Sequence, residues 1–399
     1  MMHDPSARGV ERAQPGRWHR SPRRRLVREM LRGGPGQGLL LALGLLGALP
    51  AGADGVALPG GIILRGAVDV YGGVNFNLPS DRDSWFYGVG TSGKKANEFS
   101  VNLASIDFSK EPEPVGFHLW IAGGTGAFVV HQSEPAGTVA GVPVWQYIQA
   151  ASVSARIPVG RGIIVEAGIM PSYLGFEGLA SWTDWTYTRS YTGDLSPYYD
   201  CGVRVAYAFT DHFSAQVRFL NGWQTIGDVN NAKSYGAQVA WSYESWSLTV
   251  NGYAGPDLPN DDVDWRFFGD VVATVTPWAP LQLALEMSAG TQQQPTSSSS
   301  NWGSVALYAR WEFIPKLAAV VRGEVYRDAS GFITGTQQTL TEITGTLAYA
   351  PWPPLLIKLD ARWDHSTANV FTGSAAPVGG QLQKLPTQTL LIAGVVAQL

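Results

Sequence analysis

From about residue 64 to the C-terminus the chain alternates. In residues 206–224, AYAFTDHFSAQVRFLNGWQ, the residues Tyr207, Phe209, Phe213, Ala215, Val217 and Phe219 fall on one face. Ala208, Ser214, Gln216 and Arg218 fall on the other, and TDH makes a turn between the two runs. Successive side chains leave a strand on opposite sides, so the pattern predicts a hairpin of two strands, each with one apolar face. The same period recurs sixteen times, over 64–77, 98–109, 115–123, 145–157, 162–170, 200–209, 213–221, 233–243, 246–254, 264–275, 281–290, 302–312, 316–327, 338–349, 355–364 and 387–399. In the second strand Phe99, Val101 and Leu103 share a parity that Ile106 and Phe108 break. A bulge near Ala104–Ser105 would point all five outward.

The connections alternate too. SKEPEP, PVGRG, TDH, ES, TPWAP, FIP and APWPP are short; 78–97, 124–144, 171–199, 222–232, 255–263, 291–301, 328–337 and 365–386 are long. Short turns at one end and long loops at the other are the pattern of an up-and-down outer-membrane barrel. A soluble sandwich would alternate as well, but two features argue for the membrane. The polar face is charged along the strands, with Asp69, Glu98, Glu166, Asp270, Glu286, Glu312, Glu324, Glu342, Asp360 and Asp364 against Arg156, Arg204, Arg218, Arg266, Arg310, Arg322, Lys358 and Arg362. Aromatic residues gather beside the short turns: Tyr207, Phe209, Phe213, Trp241, Tyr243, Trp246, Trp278, Trp311, Phe313, Tyr349 and Trp352. Such rings favour the headgroup level of a bilayer. The expected fold is therefore an all-β transmembrane antiparallel barrel of about sixteen strands, with short periplasmic turns and long extracellular loops. A sheet edge cannot stay open in hydrocarbon, where each unpaired backbone group costs several kcal/mol, so the sheet must close. Sixteen strands enclose more space than wall side chains fill, which leaves a wet lumen.

Composition changes the picture at the N-terminus. Arg23, Arg24, Arg25, Arg28 and Arg32 precede the apolar run LLLALGLLGAL (39–49), and AGA (51–53) offers a cleavage site. This predicts a secretory leader over 1–53, starting at Met1 or Met30, and a barrel over 54–399. The leader holds nine of the 28 basic and three of the 32 acidic residues, which leaves 19 and 29, a net of −10. No basic stripe remains for nucleic acid. Cys201 is the only cysteine, so no intrachain disulfide can form.

The longest connection is 171–199. By analogy with sixteen-stranded porins it is expected to fold inward, with Glu177, Asp184, Arg189 and Asp194 forming a constriction opposite Arg156, Arg204 and Arg218. A fixed transverse field would then orient polar solutes. The remaining pore-lining candidates are Glu166, Arg266, Asp270, Arg310, Arg322, Glu324 and Arg362.

Several stretches are similar to the OmpL-like β-barrel porin family of bacteria: NFNLPSDRDSW, NEFSVNLASIDFSKEPEPVGFHLWIAGG, PVGRGIIVEAGIMPSYLGFE, DWTYTRSY and GVRVAYAFTDHFSAQVRFLNGW. The likeness is dense from Val74 to Gly255 and rests on periodicity beyond. It implies an outer-membrane pore and brings no catalytic residues. The chain departs from outer-membrane practice by ending in Leu399, where an aromatic residue is usual, although the alternation through Leu391, Ala393, Val395 and Ala397 is intact.

Other motifs add little. GVGTSGKK (88–95) begins like a phosphate-binding loop but carries Lys95 where Ser or Thr should hold magnesium, and it lies between strands; it reads as an exposed basic loop. NDDVD (260–264) reads as a solvated acidic tip, and TSSSS (296–300) as a loop tip. The six histidines have no metal-ligand spacing, and neither GxSxG nor HExxH occurs, so no catalytic residue, cofactor or metal is expected. The sequence thus predicts a porin in the lipid bilayer of the outer membrane. It would pass small hydrophilic solutes or ions with weak cation preference, and a homotrimer is plausible by analogy. The alternative is a plugged barrel acting as a surface receptor, adhesin or structural protein.

Overall fold

The computed structural model describes residues 55–134, 138–139, 142–143, 145–296 and 298–399. The expected leader lies outside the described residues. Sixteen strands run β1 (Ile62–Asn75), β2 (Phe99–Lys110), β3 (Val115–Gly123), β4 (Ile148–Ile157), β5 (Ile163–Pro171) and β6 (Tyr199–Ala208). They continue as β7 (Phe213–Leu220), β8 (Ser234–Ser242), β9 (Trp246–Pro256), β10 (Trp265–Trp278) and β11 (Leu281–Gln293). The last five are β12 (Ser299–Ile314), β13 (Leu317–Asp328), β14 (Gln338–Trp352), β15 (Leu355–Ser366) and β16 (Thr387–Gln398). Each pairs antiparallel with its sequence neighbours, and β1 closes on β16 from Ala67↔Gln398 to Asn75↔Leu390. Closure across that seam uses the strand that ends at Gln398, so the non-aromatic terminus of the chain does not prevent pairing.

The parity read from sequence is the parity of the wall. Val217, Leu307, Ile343 and Leu347 face outward and are exposed, while their neighbours Arg218, Ala306, Tyr308, Glu342 and Thr346 face inward and are buried. The aromatic residues at the short-turn end stack in pairs along the outer face: Phe213 on Trp241 at 5.0 Å and Tyr243 on Trp246 at 4.7 Å. Three differences from expectation are local. The bulge in β2 falls at Asn102, because Asp69 pairs with Leu103 and Val70 with Val101. Leu103 is therefore fully buried, packing with Ala122 and Ala127, and does not point outward. Glu98 stands exposed beyond the end of β2 and so is not a lumenal charge. Ser299 and Ser300, expected in a loop tip, already belong to β12.

A helix, α1 (Thr125–His131), caps the long-loop end between β3 and β4. His131 stacks on Tyr199 at 4.6 Å, and its Nε2 lies 3.2 Å from Gln149 Oε1. Burial pulls this imidazole down from its ordinary value to about 4, against a smaller upward pull from the Gln149 bond. It is thus neutral in the folded cap, whereas the opened segment takes up a proton below about 6.5. Cap stability is full above that pH and falls by up to about 1.4 kcal/mol per pH unit as pH drops toward 4. Hydrogen exchange of residues 125–131, corrected for intrinsic rates, should speed up between pH 7 and pH 5. His131→Phe, which keeps the ring stack, should abolish that acceleration.

Candidate lumenal site

The loop 172–198 turns into the barrel at Gly175, whose backbone has φ +83° and whose missing Cβ would sit 3.1 Å from Glu286 Oε1. A segment with almost no regular structure carries unpaired amide groups, and away from water each must find an acceptor. Wall carboxylates supply them. Gly175 N–H and Phe176 N–H reach Asp270 and Glu286, each at 3.3 Å. Thr188 N–H donates to Asp360 at 2.8 Å. Tyr191 N–H and Thr192 N–H donate to the two oxygens of Glu324 at 2.6 and 2.7 Å, at the start of the single turn α2 (Tyr191–Asp194).

Wall cations hold the loop from the other side. Arg322 Nη1 bonds Glu177 at 2.9 Å and the Thr188 carbonyl at 2.6 Å, while its Nε bonds Glu342 at 2.6 Å. Lys358 Nζ donates to the carbonyls of Ser181 at 2.6 Å, Asp184 at 2.5 Å and Thr186 at 3.1 Å. Arg362 bonds Asp364 at 2.9 Å and the Arg189 carbonyl, and lies over the rings of Trp85 and Tyr191 at 4.5 and 4.9 Å. Tyr187 enters a hole left by Gly394, where a Cβ would come within 2.1 Å of its ring, and donates its hydroxyl to Asp69 at 2.8 Å.

The four loop residues expected to face the basic wall do enter the lumen, but they are buried in this interface. Glu177 is held by Arg322. Asp184 lies 3.4 Å from Arg189, and Arg189 also bonds Ser92 Oγ at 2.5 Å. Asp194 accepts from Gly90 N–H at 2.8 Å. None of the bonds described for them goes to Arg156, Arg204 or Arg218. Those arginines have other partners: Arg156 the Arg161 carbonyl at 2.8 Å, Arg204 the Glu166 carboxylate, and Arg218 the Asp200 carboxylate at 2.6 Å. Arg218, moreover, is buried under the Tyr173 ring at 4.5 Å, so it faces inward without facing water. The acidic loop residues therefore do not face Arg156, Arg204 and Arg218 across an open constriction; the loop acid Glu177 meets a basic wall residue only at Arg322, in contact and buried. The reason is electrostatic: a charge on a loop pressed against a wall must be paired there, because leaving it unpaired costs several kcal/mol.

Of the other candidates, Arg266 is buried with Gln292 at 2.9 Å and the Trp223 ring at 5.1 Å. Arg310 bonds Gln282 at 2.6 Å, and Asp270 accepts from Asn251 at 2.9 Å. The sequence GVGTSGKK is not an exposed loop. Thr91 and Ser92 meet Arg189, and Lys94 donates to the carbonyls of Trp85 and Val89 at 3.3 and 3.4 Å, so the segment packs above the inward loop.

Sequence reasoning missed the consequence of this packing. Inward positions of β12–β15 are nearly all buried, whereas β3–β6 mix buried ones such as Ser152, Met170, Asp200 and Ala206 with the partly exposed His118, Ser154, Arg156, Ile164 and Arg204. The β12–β15 side is thus closed, while accessible inner positions recur toward the short-turn end of β8–β11, at Gln238, Thr249, Thr274 and Gln282, and on the β3–β6 side. A cavity of about 340 Å³ opens there, between the loop and the inner faces of β1–β3.

A closed sixteen-stranded antiparallel barrel with an apolar exterior, a charged interior and a long loop folded into it defines an outer-membrane channel protein of the porin kind. The chain belongs to the family described as "Putative beta-barrel porin-2, OmpL-like", whose model matches residues 61–399. No curated protein matches the sequence. Among solved structures it is similar in fold to an anion-selective porin from Comamonas acidovorans, at TM-score 0.57 and 11% identity over 85% of this chain and 99% of that one. It is similar also to the outer-membrane channel DcaP of Acinetobacter baumannii, at TM-score 0.55 and 12% identity over 86% and 100%. A third is the Salmonella typhi OmpF complex with daunomycin, at TM-score 0.55 and 11% identity over 85% and 97%. The outer membrane is its location.

Proposed function

We propose that the protein is a diffusion channel for small hydrophilic solutes and ions, with passage confined to the β3–β6 side of the lumen. The carrying observation is the contrast between the partly exposed inner residues His118, Ser154, Arg156, Ile164 and Arg204 and the buried wall of β12–β15 opposite them. Passive diffusion needs a continuous water path and no chemistry at a catalytic group. The charged residues along the path are Arg156 and Arg204, the latter neutralised by the buried Glu166 with which it pairs, which favours weak selectivity between ions.

A weak preference for cations is the sign we propose. At the short-turn rim the exposed carboxylates Glu111, Glu113, Asp211 and Glu244 outnumber the exposed Arg65 and Lys316, and they bias the local ion concentration. We also propose a homotrimer, supported by a shallow outer groove of small residues (Ala237, Gly252, Ala254, Gly269 and Ala289) that would let another barrel approach closely.

The test is a planar bilayer holding the refolded chain under a salt gradient. Stepwise conductance with a small reversal potential of the cation sign is expected. An anion-signed potential would overturn the selectivity. Insertion without conductance would favour a barrel sealed by its loops and acting as a surface receptor.

A further inference from the structure

We propose that the lumenal cavity beside the inward loop is a subsite for an uncharged sugar ring. The proposal deepens the channel reading above and rests on it for the route by which a solute arrives. The two walls of the cavity differ in kind. Trp182 and Tyr198 come from the loop; Trp120, His118, Asp107 and Arg65 come from β1–β3. Trp182 is set firmly, because it packs against the alanine-lined wall of Ala318, Ala348 and Ala350. The Tyr198 hydroxyl is 2.9 Å from both Asp194 and Thr91, which fixes its ring.

On the opposite wall Asp107 is shared. His118 Nε2 lies 2.6 Å from one of its oxygens and Arg65 Nη1 3.6 Å from the other. Side-chain exposures of 49% for Arg65, 20% for Asp107 and 25% for His118 leave the cluster open to solvent. Its chemistry selects the ligand. Asp107 offsets Arg65, so the cluster has no strong net charge with which to draw an ion out of water. Within a few ångströms it offers guanidinium and imidazole donors beside carboxylate acceptors, a set that matches hydroxyl groups, which both donate and accept. The rings of Trp182 and Tyr198 across the cavity add aromatic surface of the kind on which the C–H face of a pyranose packs. A solute with one apolar face and a hydroxylated edge fits both walls, and a cavity of about 340 Å³ is at the lower end of small-ligand sites.

The refolded chain is titrated with D-glucose, maltose, the open-chain polyol sorbitol and sodium benzoate. Binding is read by tryptophan fluorescence in detergent micelles and by block of single-channel current. Saturable binding of glucose or maltose, and tighter than of sorbitol, is expected. Trp182→Ala should weaken it roughly tenfold, and Asp107→Asn should weaken it while circular dichroism shows the barrel intact. Trp246→Phe, in the outer aromatic belt, should leave it unchanged. Equal responses to glucose and sorbitol, or saturation by benzoate alone, would overturn the sugar assignment with the channel reading untouched. Saturable maltose fluorescence in a barrel that never conducts would do the reverse.

Discussion

Arg322→Ala should open the channel: single-channel conductance is expected to rise and to become noisier than in the unaltered protein. Arg322 sits at the centre of the loop's attachment, bonded to Glu177 at 2.9 Å, Glu342 at 2.6 Å and the Thr188 carbonyl at 2.6 Å, with every partner buried. Removing the guanidinium leaves Glu177 without the cation it pairs with, while Glu342 keeps only Arg362, 3.7 Å away. Breaking a buried pair in this way costs about 3–5 kcal/mol. The barrel wall has another way to relax, since its strands stay paired through backbone bonds that the substitution does not touch. The loop is the part free to respond, by withdrawing into water where Glu177 can be hydrated. Unchanged conductance, with circular dichroism reporting a normal barrel, would mean that the loop does not restrict the lumen.

The second large effect concerns the outer surface. Leu307→Arg, at the middle of β12, should lower the stability of the membrane-inserted barrel by about 2–4 kcal/mol, the cost of a guanidinium at the bilayer midplane. Leu307 is 58% exposed, pairs with Leu285 and Gly323, and has no counter-charge within the outward rows of those strands. Ser154→Arg, on the partly exposed inner wall, should cost little, because water and Glu166, which pairs directly opposite, are at hand. Denaturant unfolding from lipid vesicles measures both. Equal costs at the two positions would refute the assignment of faces on which the fold reading rests.

Strand positions were legible because each is a local property. The run from Phe213 to Leu220 alternates whatever the rest of the chain does, and the medium outside the barrel imposes a single requirement on every outward residue. The short turns at one end and the aromatic residues beside them follow from the same cause. The β2 bulge was misplaced because its position depends on which residues Asp69 and Val70 pair with across the hairpin. Periodicity reports only that the parity changes somewhere between Val101 and Ile106.

The loop was harder. Its length and inward path could be argued from sequence, but its charges could not be assigned partners. Glu177 and Arg322 are 145 residues apart, and Lys358 and Ser181 are 177 apart. Read along the chain, Glu177, Asp184, Arg189 and Asp194 look like four charges available to solutes. In three dimensions they belong to a dry interface, because the loop's unpaired amides and the wall's carboxylates and guanidinium groups satisfy one another once water is displaced. The GVGTSGKK segment misled for the same reason: a lysine that looks solvated is folded over its own carbonyl groups.

The sequence by itself determined the barrel, its strand number and the face each strand turns to lipid, because those follow from a period of two and from a medium that tolerates no unpaired backbone. Only the tertiary structure decided which inner-wall positions stay accessible and which charges are buried against the loop. That outcome depends on the seating of one loop against strands far away in the chain, and no local pattern encodes it.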